Sequence, residues 1–381
     1  MGKRVLVTGG AGFIGSFLVE ELLRRGYEVR VYDSLDPQVH PERIIPPYLP
    51  REVEFIRGDI RDYQRLSSAL EGVQVVSHHA AAVGVGQSQY LVKHYVDVNL
   101  GGTGNLLNAV AANPQKVERM IIASSMSIYG EGRCRCRQCG EVTPRVREDS
   151  QMRKGDWELH CPLCGEVLEP IPTDEKAETR CSSIYAITKK AQEEMMMNVG
   201  LTYRIPTVAL RYFNAYGPRQ SLSNPYTGVC AIFLSRIKND RAPVIYEDGS
   251  QSRDFVSIHD VVQAHMLALE KEEADFQVFN VGTGEAVGIK EVAAVLLRLY
   301  GKTITPQIAN RYRKGDIRHC FSDISKIKRL LGFQPKVSFE DGMKELIEWS
   351  KRVGASDRFD MAAQELRDRG LVLGEGETGG L

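Results

Sequence analysis

The chain has 381 residues, 43% of them apolar and 26% charged, which suits a folded α/β domain plus a smaller lobe. Lys+Arg and Asp+Glu each number 49, so the charge balance gives no footprint for nucleic acid or an anionic membrane surface. No apolar run approaches the roughly 20 residues of a membrane helix. The first apolar segment, residues 5–7, runs straight into a glycine loop, so no secretory leader is expected. Of eight cysteines, five fall between positions 134 and 164, and Cys181, Cys230 and Cys320 are scattered. That distribution predicts reduced thiols in a cytoplasmic protein, and a metal site rather than disulfides.

Residues 4–8 read as a buried strand and 13–25 as an amphipathic helix. Strands follow at 27–33, 53–57 and 73–78, a long helix at 98–113, and a fifth strand at 120–124. The alternation predicts a doubly wound parallel sheet. The rhythm breaks at about 131–172, a stretch rich in Cys, Arg, Gly, Glu and Pro without helical periodicity. It resumes with a helix at 183–198 and a strand at 207–212. Shorter apolar segments and longer loops after Gly217 predict a small lobe that donates loops to a substrate cleft. The expected organisation is therefore a dinucleotide-binding domain at 1–130 and 173–216, and an insertion at 131–172. A substrate lobe at 217–350 has some segments returning to the core, and a tail at 351–381 is partly disordered, especially residues 374–381.

Gly9, Gly12 and Gly15 lie in a loop that follows a strand and opens a helix. There they permit a tight turn and a close approach of backbone to a pyrophosphate. Asp33 ends the next strand; a carboxylate there accepts ribose hydroxyls and repels a 2′-phosphate, favouring NAD over NADP. Asp59 and Ile60 follow the third strand and either hold an adenine amino group or, for Asp59, cap a loop. Tyr185 and Lys189 sit at i, i+4 on one helix face. A tyrosine titrates near 10 unaided, and an ammonium one turn away favours its phenolate. Ser125, after the fifth strand, offers a hydroxyl beside that tyrosine.

Several motifs in order carry a family resemblance: Gly9-x-x-Gly12-x-x-Gly15, His79-Ala-Ala81, Asn99-x-x-Gly102-Thr103-x-Asn105, Ser125 with Tyr129, and Tyr185-x-x-x-Lys189. They continue through 211–218, Arg253-Asp-Phe-Val256 and Arg313-Lys-Gly-Asp316. Over residues 3–350 the chain resembles the extended short-chain dehydrogenase/reductases, specifically the nucleotide-sugar epimerases and dehydratases, which have a Rossmann domain. The resemblance implies cofactor contacts at Gly9, Gly12, Phe13, Ile14, Gly15, Asp33, Asp59, Ile60, Ala80, Ala81, Asn99, Tyr185 and Lys189. It implies catalysis by Ser125, Tyr185 and Lys189, and substrate contacts from Ser127, Asn214, Arg253 and Arg313, the two arginines on the pyrophosphate. A homodimer through the helices at 98–113 and 183–198 is also implied.

Sugar 4,6-dehydratases of the family carry an Asp-Glu pair directly after the catalytic hydroxyl residue. Met126 and Ser127 stand there instead, and neither can protonate a leaving hydroxide. The expected reaction is therefore 4-epimerisation: Tyr185 takes the C4 proton, NAD takes the hydride, the 4-keto sugar turns over and is reduced on its other face. The loop at 217–228, Trp157 and the cysteine insertion are most similar to the dTDP-L-rhamnose 4-epimerase group; a UDP-hexose or UDP-uronate 4-epimerase and a net oxidoreductase are the alternatives, and an NAD-binding regulator the reading of another class.

Two Cys-x-x-Cys-Gly knuckles, Cys136/Cys139 and Cys161/Cys164, lie 21 residues apart. The spacing predicts a zinc ribbon with four thiolates and no open coordination position, Cys134 being a spare that could replace Cys136. Residues 131–172 hold seven Lys/Arg and eight Asp/Glu, which argues against nucleic-acid binding. The insertion leaves the chain just after Ser125 and rejoins it shortly before Tyr185, so the expected role is a lid or wall over the sugar, with a subunit contact as the alternative.

Overall fold

The computed structural model describes residues 2–374. Seven parallel strands form the central sheet: β1 (Arg4–Thr8), β2 (Glu28–Asp33), β3 (Glu54–Arg57), β4 (Val75–His78), β5 (Arg119–Ser125), β6 (Thr207–Tyr212) and β7 (Val278–Val281), in the order β7-β6-β5-β4-β1-β2-β3. The crossover beside β1 makes it a Rossmann-like sheet, and its switch point lies between β1 and β4. Period-2 side chains explain why both faces are apolar. Val5 and Val7 join one core with Leu18, Leu22 and Val261, while Leu6 joins the other with Leu106, Val110 and Met196.

The helix expected over 98–113 is split. A π-helical turn, Val96–Gly101, precedes an α-helix, Gly102–Ala112. Gly102 lies so tightly against Ile60 that any side chain would strike its branched methyls. The wide turn lets Asn99 point inward, completely buried. The helix expected over 183–198 runs from Ile184 to Tyr203, capped by the Ser183 hydroxyl, which accepts the Ala186 N–H at 3.1 Å.

After β6 the chain builds a second core around Phe233, Leu234, Leu296, Leu297, Met343 and Leu346. The helix Ile258–Glu270 and β7 return to the main sheet. The insertion has a three-stranded sheet made of Cys134–Cys136, Gly140–Val142 and Glu169–Pro170, with Cys134–Cys136 in the middle.

The C-terminal segment departs from expectation. Residues Phe359–Asp368 form a helix and Val372–Gly374 a strand, antiparallel to Arg311–Arg313. Ala362, Ala363 and Leu366 are buried, so apolar packing orders a stretch that reads as tail. The disorder expected at 375–381 lies outside the described residues. No described helix is long and apolar enough to cross a membrane.

Candidate functional site

The glycine loop joins β1 to the helix Phe13–Arg24 at the carboxyl edge of the sheet. Gly9 has φ +70°, and a β-carbon there would lie 2.8 Å from the Ala80 nitrogen. This is where the loop after β4, with Ala80 and Ala81, comes closest to the turn. The helix starts at Gly12 without a side-chain cap, which leaves its first N–H groups, at Phe13 and Ile14, for an anion. The Asp33 carboxylate accepts the Ala11 N–H at 3.0 Å and the Leu35 N–H at 2.9 Å. Burial pushes its pKa up, and those two N–H groups oppose the rise. An uncapped helix start, a backbone cradle and a buried acid at the end of β2 together fit a dinucleotide.

Asp59 is spent locally: Oδ1 accepts the Arg61 N–H and Nε at 2.9 Å each, and Oδ2 pairs with Nη2 at 2.6 Å. Ile60 packs in the core against Gly102. Asn99 is engaged within the chain. Its Oδ1 accepts Ala82 N–H at 2.7 Å, and its Nδ2 donates to the Ala82 carbonyl and to Thr188 Oγ1 at 3.1 and 2.9 Å. It fastens the loop after β4 to the helix that carries Tyr185.

Ser125 ends β5, and its Oγ accepts the Ser127 hydroxyl at 3.0 Å and the Ser127 N–H at 3.2 Å. Tyr185 lies within hydrogen-bond reach of Ser125; burial pushes the phenol pKa up and that bond pulls it down. The Tyr185 N–H donates to Ser88 Oγ at 3.0 Å, and the Tyr95 ring meets the Tyr185 ring edge-on at 6.5 Å. Lys189 is only 4% exposed, and burial brings its pKa down to about 8 against the pull of Glu193. Ser125 and Tyr185 therefore lie side by side, with Lys189 one turn along the Tyr185 helix.

Beneath them lies a buried network that motif reading misses. Glu193 accepts Ser124 Oγ at 2.5 Å and pairs with Arg211 at 2.6 Å. Arg211 also donates to the Tyr129 hydroxyl at 2.8 Å, which donates to Asn280 at 2.7 Å. The Glu193 carboxylate is thus held by Arg211 and by Ser124, the residue before Ser125. His78 and His79 are held neutral by burial and by Lys189, their pKa values pulled down to about 3. Motifs mark His79, Tyr129 and Arg211, but only the tertiary structure shows that Tyr129 and Arg211 are joined to Glu193 and Asn280.

Among the residues expected to meet the substrate, Asn214 keeps a buried Oδ1 with no partner. Arg253 is held by three carbonyls: Nη1 donates to Ser252 and Arg318 at 2.8 Å each, and Nη2 to Ile317. Arg313 Nε donates to Asp316 at 2.8 Å, and its guanidinium lies 5.0 Å over the Tyr246 ring. Both arginines are oriented before any ligand arrives.

The sulfurs of Cys136, Cys139, Cys161 and Cys164 all lie within 4.8 Å of one another, with Cys136 and Cys164 3.5 Å apart. No cysteine forms a disulfide. Cys134, the spare, points elsewhere, its thiol 3.7 Å from the Gly132 carbonyl.

Residues 5–147 match the family described as "NAD dependent epimerase/dehydratase family", and 163–346 the one described as "GDP-mannose 4,6 dehydratase". The dTDP-L-rhamnose 4-epimerase of Burkholderia thailandensis is 35% identical over 91% of this chain and 95% of its own. The structure of UDP-glucose 4-epimerase from Thermotoga maritima with UDP-glucose superposes with a TM-score of 0.76 at 30% identity, covering 92% of this chain and 99% of its own. That of UDP-glucuronic acid 4-epimerase from Bacillus cereus, in complex with UDP-glucuronic acid and NAD, gives 0.75 at 28%, with the same coverage. The glycine loop, the Ser125–Tyr185–Lys189 cluster and these matches lead to one conclusion: the chain belongs to the NAD-dependent epimerase/dehydratase family, within the extended short-chain dehydrogenase/reductases.

Proposed function

We propose that the chain is an NAD-dependent nucleotide-sugar 4-epimerase, with a dTDP-L-rhamnose-type sugar nucleotide as preferred substrate and a structural zinc in the four-cysteine site. One observation carries the reaction class. The Ser125 hydroxyl lies within reach of the Tyr185 phenol, one turn from Lys189 on the same helix, and Met126 and Ser127 stand where an eliminating enzyme needs carboxyls. Such a site moves one hydroxyl proton and has no acid for expelling water.

Gly9, Gly12, Gly15, Asp33 and the helix start at Phe13 and Ile14 would hold NAD, which supplies a hydride acceptor and donor at the sugar carbon. Tyr185 removes the proton from the C4 hydroxyl and later returns it. The Lys189 ammonium favours the phenolate, and Ser125, fixed by Ser127, aligns the C4 oxygen. Asn214, Arg253 and Arg313 bind the sugar-nucleotide diphosphate. Holding the diphosphate while the 4-keto sugar reorients lets both faces of C4 be presented in turn.

The identity and coverage shared with the Burkholderia enzyme support the dTDP-L-rhamnose assignment. For the metal, zinc bonded to four thiolates at about 2.3 Å sets the sulfurs about 3.8 Å apart, and the cluster is compatible with that spacing. Exposed Ile187 and Leu201 on the helix Ile184–Tyr203, and Val96 on the π-helical turn, support a homodimer.

The test is incubation with a panel of dTDP- and UDP-sugars, products resolved by NMR. Inversion at C4 of dTDP-L-rhamnose without net nicotinamide reduction is expected. Turnover confined to UDP-glucose or UDP-glucuronate would move the substrate assignment, and stoichiometric NADH release would overturn the epimerase reading.

A further inference from the structure

The insertion is fastened at both ends to the segment 311–323 of the substrate lobe. At its start Gly132 N–H donates to the His319 carbonyl at 2.9 Å, and the Glu131 carboxylate accepts the N–H of Arg318 at 2.7 Å. At its end Thr173 N–H donates to Phe321, and Asp323 N–H to Thr173, both at 2.9 Å.

Between these ends, side chains of the insertion make a second set of contacts with the same segment and with the neighbouring Glu247 and Leu373. Arg147 lies 2.9 Å from Glu247 and 3.4 Å from Glu131, and it donates to the Asp316 carbonyl at 3.2 Å. Arg318, completely buried, pairs with Glu247 at 2.9 Å, Asp248 at 2.7 Å and Glu158 of the insertion at 2.5 Å. The ring of Trp157 packs on Tyr312 at 6.1 Å, in a cluster with Met152 and Leu373. Tyr312 is the neighbour of Arg313, and the Ile317 and Arg318 carbonyls are the ones that orient Arg253. Buried ion pairs add little net stability but fix geometry, because any other arrangement leaves a charge unpaired.

The cysteine knuckles hold the other side of this joint. Leu159 and Leu168 share a small core with Cys136 and Cys161, and Leu168 N–H donates to the Leu159 carbonyl at 2.8 Å. Trp157 and Glu158 therefore sit in the irregular segment that leads directly into Leu159 and Cys161, which the four-cysteine site pins.

We propose that the insertion is a clamp that sets the diphosphate arginines, with Trp157 and Glu158 as positioning residues for substrate binding through Arg318, Arg253 and Arg313. The inference rests on the reading of Arg253 and Arg313 as diphosphate ligands, and it assigns to the insertion control of sugar-nucleotide affinity while the proton chemistry at Tyr185 is left alone.

The experiment uses the full chain, NAD-loaded, with dTDP and UDP titrated calorimetrically and with steady-state kinetics on the sugar nucleotide that turns over. Glu158→Gln removes one charge from a side chain that is partly exposed, so the fold tolerates it. It should raise the Kd of the nucleoside diphosphate and the KM together about five- to twentyfold, with kcat within about twofold and NAD retained. Trp157→Ala should do the same, and Trp157→Phe should restore most of the loss. Arg313→Ala is the control for the underlying reading. If it weakens diphosphate binding while Glu158→Gln and Trp157→Ala change Kd by less than about twofold, the clamp is refuted and the diphosphate reading stands. If Arg313→Ala has no effect either, the diphosphate reading falls and takes the clamp with it. A loss confined to kcat would also overturn the proposal.

Discussion

Replacing Lys189 with methionine tests how the site makes a phenolate at neutral pH. Tyr185 and Lys189 stand one turn apart on the helix Ile184–Tyr203, which places their β-carbons roughly 6 Å apart. A unit charge at about 6 Å with an effective dielectric near 20 stabilises the phenolate by roughly 3 kcal/mol, equivalent to about two pH units. Burial works the other way and pushes the Tyr185 pKa up. The ammonium helps only while protonated, and burial has brought its own pKa down to about 8. Below that pH it is charged and lowers the pKa of Tyr185; above it the help fades. In the parent enzyme kcat should therefore rise with pH and level off once the Tyr185 phenolate is fully formed. In Lys189→Met the rise should come about two pH units later. At neutral pH kcat should be about a hundredfold lower, recovering about tenfold per pH unit as the medium turns alkaline. The assay is the pH profile of kcat at saturating sugar nucleotide and NAD. A variant slowed by the same factor at every pH would refute the electrostatic reasoning, because misplacement without a change in proton affinity gives that pattern.

Tyr185→Phe should lower kcat by about a thousandfold or more while bound NAD, measured after denaturation, stays at the parent level; retained turnover would sink the mechanism. Cys139→Ser should release the metal, read by elemental analysis as a fall from about one zinc per chain, with the main unfolding transition kept; unchanged zinc would contradict the four-cysteine site. Gly102→Ala should cost about 2 kcal/mol of stability, seen in denaturant unfolding, because the new methyl has no room beside Ile60; an unaltered midpoint would show that the π turn gives way freely. Asp33→Asn should weaken NAD binding and narrow the preference against NADP, and a stronger discrimination against NADP would contradict its assigned role.

The strands, the glycine turn and the Tyr185–Lys189 pair were legible because their signals are local: alternation buried on both faces, glycines at a forced turn, and i, i+4 spacing. What escaped depends on chain partners far apart. Asn99 carries a family motif, yet only the tertiary structure shows it holding Ala82 and Thr188. Glu193 meets Ser124 and Arg211 across three elements. Arg318 joins the insertion to the substrate lobe. The C-terminal helix is a different kind of miss. Phe359, Ala362, Ala363 and Leu366 stand at i, i+3, i+4 and i+7, an apolar stripe that the weight of charged neighbours obscured. The two knuckles were legible as a four-thiolate cluster, but the place where their subdomain attaches was not. It is tied to the segment that carries Arg313, an attachment that position along the chain does not reveal.

The most direct test of C4 epimerisation is the fate of the C4 hydrogen. A sugar nucleotide carrying deuterium at C4, turned over by the NAD-loaded enzyme in ordinary water, should give the C4 epimer with its deuterium retained and no net change in nicotinamide absorbance. Product in which the C4 deuterium has exchanged with solvent would contradict transient oxidation at C4 with Tyr185 as the proton acceptor.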